Sequence, residues 1–212
     1  MIVRSLKMWL VPLALSTVSV CSFAAKAAAE TVYPFTGNYR TVVNITPIQG
    51  NISQVFEVGE SDDAPYGLDK YEGLTYSVLD DNGNLTFNND PSFFGVEDYP
   101  LGYIQLGDGT NKLFGTSDAS ASVDFENLTA QGSGVVYITD GEGMFEGATA
   151  TLSFFEEDIV TLGEKITLNG LALVSGPIKV PHTVPEPTIT TALIGIGLFG
   201  ISSKLRRRKQ SL

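Results

Sequence analysis

Between residues 30 and 180 apolar side chains recur at every second position in short runs, and no window sustains the i, i+3, i+4, i+7 stripe of an amphipathic helix. Leu74, Tyr76 and Val78 alternate with Thr75 and Ser77, and Val123 and Phe125 alternate with Ser122, Asp124 and Glu126. Gly, Asn, Asp or Pro interrupts these runs about every ten residues, the punctuation of tight turns. Further strands are predicted over Tyr39–Ile45, Gln54–Val58, Val135–Thr139, Thr149–Phe155 and Lys165–Val174. Roughly eight to ten short strands predict an all-β body, a single antiparallel β-barrel or, as the alternative, a β-sandwich.

Two dipeptides predict hairpins. Asn82-Gly83 supplies the positive φ of a two-residue type I′ turn, which sets Val78 opposite Phe87, Tyr76 opposite Asn89 and Asp80 opposite Leu85. Tyr76, Val78, Leu85 and Phe87 then share one apolar face. Asp108-Gly109 predicts a second hairpin pairing Ile104 with Leu113, Tyr103 with Phe114 and Gln105 with Lys112. Residues 88–101, with Pro91, Phe93, Phe94, Tyr99 and Pro100, read as a long loop over a barrel or sheet end.

Charge separates the middle from the ends. Residues 30–184 hold five basic and 23 acidic residues, a net charge of −18, which repels phosphate backbones and excludes a nucleic-acid partner. Cys21 and His182, the one Cys and the one His, lie in the leader and near the tail, so Ser–His and Cys–His nucleophilic systems and imidazole or thiolate metal sites are excluded from the body.

Residues 1–29 read as a secretory signal peptide: Arg4 and Lys7 lead, Met8–Val20 is an uncharged, mostly apolar run, and Ala27-Ala28-Ala29 offers a cut after Ala29. Met8–Val20 covers only about 20 Å as a helix, too little for a stable span. At the other end Pro185, Glu186 and Pro187 precede the uncharged stretch Thr188–Ser203 and the basic run Lys204-Leu205-Arg206-Arg207-Arg208-Lys209. A helix starting after the proline pair would be about 24 Å long and stopped by cations that stay cytoplasmic. The predicted organisation is thus a signal peptide (1–29), an acidic all-β domain (30–175), a Pro-rich spacer (176–187) and a transmembrane sorting helix with basic tail (188–212).

Pro185-Glu186-Pro187, the apolar stretch with Gly195, Gly197 and Gly200, and Arg206, Arg207 and Arg208 resemble the PEP-CTERM sorting signal of Gram-negative bacteria and cyanobacteria. The resemblance implies recognition of Pro185, Glu186 and Pro187 by an exosortase, with the arginines holding topology. It also implies transient residence in the inner membrane and delivery to the cell surface or an exopolysaccharide matrix. Gly195-Ile196-Gly197-Leu198-Phe199-Gly200 mimics a dinucleotide fingerprint but lacks the strand, helix and acidic residue that motif needs, so no cofactor is expected. Separately, Ile138–Thr149, with Gly141, Gly143, Phe145 and Gly147, is similar to a strand–turn–strand signature of allene-oxide-cyclase and dirigent-like barrels, which supports a barrel and not that chemistry.

Little in the body points to catalysis, and no catalytic or metal-binding residue is assigned. Glu97 with Asp98, and Glu156, Glu157 and Asp158, are adjacent carboxylates that read as solvated charge rather than a glycosidase pair. Asp62, Asp63 and Asp80-Asp81-Asn82-Gly83-Asn84 supply the oxygen ligands Ca²⁺ prefers, but Leu85 and Pro91 break the EF-hand template and a hairpin turn accounts for the second cluster. The expected role is structural or adhesive within exopolysaccharide. The alternative is a carbohydrate-binding module, with or without Ca²⁺, using Tyr66, Tyr71, Phe93, Phe94 and Tyr99. An enzyme would require buried carboxylates facing one pocket.

Overall fold

A computed structural model describes residues 29–163 and 166–182. The predicted signal helix and transmembrane sorting helix lie outside the described residues, as does the Pro185–Pro187 motif. Among the described residues no helix is long and apolar enough to cross a membrane.

Nine strands form a single sheet: β1 (Ala29–Gln49), β2 (Ile52–Glu60), β3 (Lys70–Leu79), β4 (Asn84–Asn88), β5 (Tyr103–Leu106), β6 (Lys112–Asp124), β7 (Thr129–Glu142), β8 (Thr149–Thr161) and β9 (Ile166–His182). The order is β2-β1-β9-β8-β7-β6-β4-β3-β5, with further pairings of β2 with β3 and of β6 with β5. Following hydrogen-bonded partners from β2 through β1, β9, β8, β7, β6, β4 and β3 therefore returns to β2. β4 and β5 share one lane between β3 and β6: β4 faces Tyr76–Leu79, and β5 faces Tyr71–Leu74. Where β4 has ended and β5 has not begun, Asn89 replaces the ladder. Its side-chain amide donates to the Leu74 carbonyl at 2.9 Å, and its oxygen accepts from the Ser117 backbone N–H at 2.6 Å.

Period two holds along the sheet, so one face carries the core. One buried cluster gathers Phe35, Tyr39, Leu68, Leu113, Phe145 and Ile178 among others, with Phe145 set edge-on to Tyr33 and Tyr66. A second gathers Val43, Ile45, Val55, Ala130, Val160 and Leu168. The strands are longer than the sequence pattern implies because polar and glycine residues, such as Gly132 and Gly134 in β7, sit in the ladder without breaking it. The segment expected as a spacer from residue 176 is strand as far as His182. The β8–β9 ladder skips Gly176 and Pro177, where the imide has no N–H to give, and resumes in the same register at Ile178.

Both predicted hairpins form with altered registers. Tyr76 pairs with Asn88 and Val78 with Thr86, one residue from the expected alignment. Asp80 N–H donates to Asn84 O, leaving Asp81-Asn82-Gly83 as a three-residue loop with Gly83 at φ 83°. The Asp80 carboxylate fixes this wider turn by accepting from the backbone N–H of Asn82 and of Asn84, both at 2.8 Å. Such a slip moves side chains to the other face. Leu85 and Phe87 share a face with Ser77 and Leu79, whereas Tyr76 lies on the opposite face. Tyr76 is fully buried there because the 89–102 segment covers it: its hydroxyl donates to Pro100 O at 2.6 Å and its ring meets Tyr99 edge-on. That long loop thus covers the sheet as expected. In the second hairpin Ile104 pairs with Gly115 and Leu106 with Leu113, a two-residue shift that keeps each side chain on its predicted face.

Candidate functional site

Of the residues singled out as possible calcium ligands, Asp62, Asp63 and Asp80 are otherwise engaged. Asp80 holds its own turn, Asp62 pairs with Arg40 at 2.8 Å, and Asp63 accepts from the Asn38 backbone and side chain. Among the described residues no group of three or more His, Cys, Asp or Glu side chains is placed to hold a metal ion. The five aromatics proposed for carbohydrate do not share one surface. Tyr71 points to the interior, where it borders a cavity, and Tyr66 packs on Tyr33 and Phe145. Phe93, Phe94 and Tyr99 lie on the 89–102 segment, and of the three Phe93 is 65% exposed.

The structure instead places three carboxylates inside. β8 alternates Leu152, Phe154, Glu156, Asp158 and Val160 toward the core while Phe155, Glu157 and Ile159 face outward. Glu156 and Asp158 are two residues apart and so share the inner face, a relation that reading them as sequence neighbours misses. Glu57, which the sequence reading did not single out, arrives from β2 between Val55 and Gly59. These three acids border one partly open cavity of about 60 Å³ beside the second apolar cluster. The space exists because facing strands carry small residues there: Ala119 and Ala121 on β6, Ala130 and Gly132 on β7. Gly170 on β9 is needed for a different reason. A Cβ at that position would stand 2.2 Å from Asp158 Oδ1 and 2.3 Å from the Glu157 backbone oxygen, so the close approach of β8 itself leaves no room for a side chain.

Glu156 Oε1 accepts from the buried Thr41 hydroxyl at 2.6 Å, and Glu57 Oε2 accepts from the Tyr71 hydroxyl at 3.3 Å. Asp158 Oδ1 is buried without a hydrogen-bond partner. Burial away from water disfavours charge on all three. It pushes Glu57 well above the usual carboxylate range, with the charges of Glu156 and Asp158 adding to the effect. Glu156 moves up for the same reason, opposed by the Thr41 hydrogen bond. Asp158 is pushed up to about 7 by burial and then by Glu156. The Tyr71 hydroxyl is also raised, by burial first and by Glu57 next, so it remains a donor.

The turn expected at Ile138–Thr149 forms as strand, turn and strand. Phe145 is fully buried, and Gly143 and Gly147 both take φ 70°, a left-handed backbone that glycine adopts freely.

Comparison with curated proteins and with solved structures yields no match. A family model described as the PEP-CTERM protein-sorting motif matches residues 183–209, a span that contains Pro185, Glu186, Pro187 and Arg206–Arg208 and begins one residue after β9 ends. The chain thus carries a PEP-CTERM sorting motif, which marks it as an exported protein sorted through an exosortase.

Proposed function

We propose that the mature protein is the acidic β body alone, a structural or adhesive element of the cell surface or extracellular matrix. An export signal delivers it, and an exosortase trims its tail near Pro185-Glu186-Pro187 after brief tenure in the inner membrane. The match at residues 183–209 carries the reading. The cyclic strand pairing supports describing the body as a β-barrel, since a sheet whose partners return to the start has removed its own edges. A body so closed resists unwanted edge pairing outside the cell, and its negative charge keeps it soluble. Adhesion is favoured by the outward face of β8 and β9. There Phe155 stands opposite Leu173, with Ile159 and Leu171 exposed on the same side.

Replacing Arg206, Arg207 and Arg208 with Gln in the native host should leave the tail uncut. Intact-mass analysis should then show a species heavier by the C-terminal segment, retained in the membrane fraction. An unchanged mature mass and distribution would defeat the sorting part of the reading.

A further inference from the structure

One outer face of the sheet differs from the rest of this acidic body. Its outward positions run from Gln131 to Tyr137 on β7, from Thr149 to Thr161 on β8 and from Thr167 to Ser175 on β9. Among these described residues Glu157 is the one that carries charge, although residues 30–184 hold 23 acidic and five basic residues. Its carboxylate accepts from Gln131 Nε2 at 3.2 Å, which draws it toward β7 and away from β9. On the other side of it the face is apolar. Phe155 stands opposite Leu173, Leu171 lies opposite Glu157, and Ile159 follows two residues further along β8.

These four side chains are between 42% and 67% exposed. At roughly 200 Å² for a whole side chain of this size, they present roughly 440 Å² of apolar surface, as much as the largest patch on an ordinary monomer. Chemistry narrows what covers it. A hydroxyl-rich saccharide loses hydration against aliphatic Leu and Ile without gaining hydrogen bonds there. An anionic lipid surface repels a domain of net charge −18. Two like-charged bodies also repel one another, except through a face that has almost none of the charge. A twisted sheet face packs on an identical face as the two layers of a sandwich, and a two-fold axis sets the same patch on both sides. Two copies would bury roughly 900 Å² from the four side chains alone, and the Tyr137, Ser and Thr flanks carry the total toward the roughly 1,200 Å² where stable interfaces begin.

We propose that the outward face of β7, β8 and β9 is a self-association surface, on which a second copy of this chain packs face to face through Phe155, Ile159, Leu171 and Leu173. The inference rests on the adhesive reading given above and names its partner: the body coheres with itself.

The full chain in density-matched detergent, followed by sedimentation equilibrium, should show a monomer–dimer equilibrium. Ile159→Glu with Leu171→Glu should weaken the dimer by about tenfold or more. Phe93→Glu with Leu101→Glu adds the same charge at exposed apolar positions outside the face and should leave the dimer intact. Both pairs keep the tail, so association through the tail would survive in both. Raising the salt from about 0.05 M to about 0.5 M should tighten the dimer of the unaltered chain, because it screens the repulsion between acidic bodies. A monomeric unaltered chain, a dimer that survives Ile159→Glu with Leu171→Glu, equal loss in the two pairs, or a dimer weakened by salt would each overturn the proposal. A monomeric chain that co-sediments with exopolysaccharide from the native host would overturn self-association and leave the adhesive reading in place.

Discussion

The two apolar clusters inside the sheet are built from the same alternation but filled differently. Around Phe145, large side chains from β1, β5, β6 and β9 interlock with the turn at Gly143–Phe145 and with Tyr33 and Tyr66. Around Val43 and Leu168, the facing positions on β6 and β7 are Ala and Gly, and between the clusters run Thr41, Glu57, Glu156 and Asp158. One region uses its inner face for packing. The other gives up packing for room and charge. Interiors close to crystal density lose stability when such room is left, so the second region is where the sequence forgoes stability.

Truncating each region tests that contrast. Phe145→Ala removes a fully buried ring that bridges strands and turn, and should cost about 3–5 kcal/mol, measured by denaturant unfolding. Leu168→Ala enlarges a space that already exists, and should cost nearer 2 kcal/mol by the same measurement. Equal losses at the two sites would dissolve the distinction.

The acids provide a finer test through pH. In the unfolded chain Asp158 ionises near 3.8, whereas in the fold it does so near 7. Between those values the folded state keeps a proton that the unfolded chain has released, so stability falls as the pH rises through this window. Glu57 and Glu156, also raised, act in the same direction. The exposed Asp62, Asp63, Asp80 and Asp124 are held low by hydrogen bonds from Arg40, Asn38, Asn84 and Asn127 and act oppositely, but only below about pH 4, where they take up protons. The melting temperature should therefore be higher near pH 5 than near pH 8. Glu156→Gln with Asp158→Asn should flatten that slope while Thr41 keeps an acceptor at position 156. A slope unchanged by the double variant would remove these acids as its cause.

Strand identity was legible in the sequence because burial imposes period two, and Leu85 with Phe87, or Leu152 with Phe154, show it directly. Register was less legible. Asn82-Gly83 announces a turn, but the Asp80 carboxylate captures two backbone N–H groups and widens the loop by one residue. That single residue sends Tyr76 to the opposite face, where only the 89–102 segment can bury it. The acidic cavity was half legible. Glu156 and Asp158 satisfy the same-face rule within one strand, but nothing local to Glu57 says that β2 will meet β8 across the interior. The sorting motif was fully legible because its three parts are contiguous along the chain.

β1 and β9 are hydrogen-bonded neighbours, and Lys179 on β9 reaches Glu30 on β1 at 3.7 Å. The first strand to emerge during export must therefore wait for the last before the ring of pairings is complete. Contacts of such long sequence separation make for slow folding. Local pairs such as β1 with β2 and β2 with β3 need no such wait, so closure of the ring is the step left to the end of the chain.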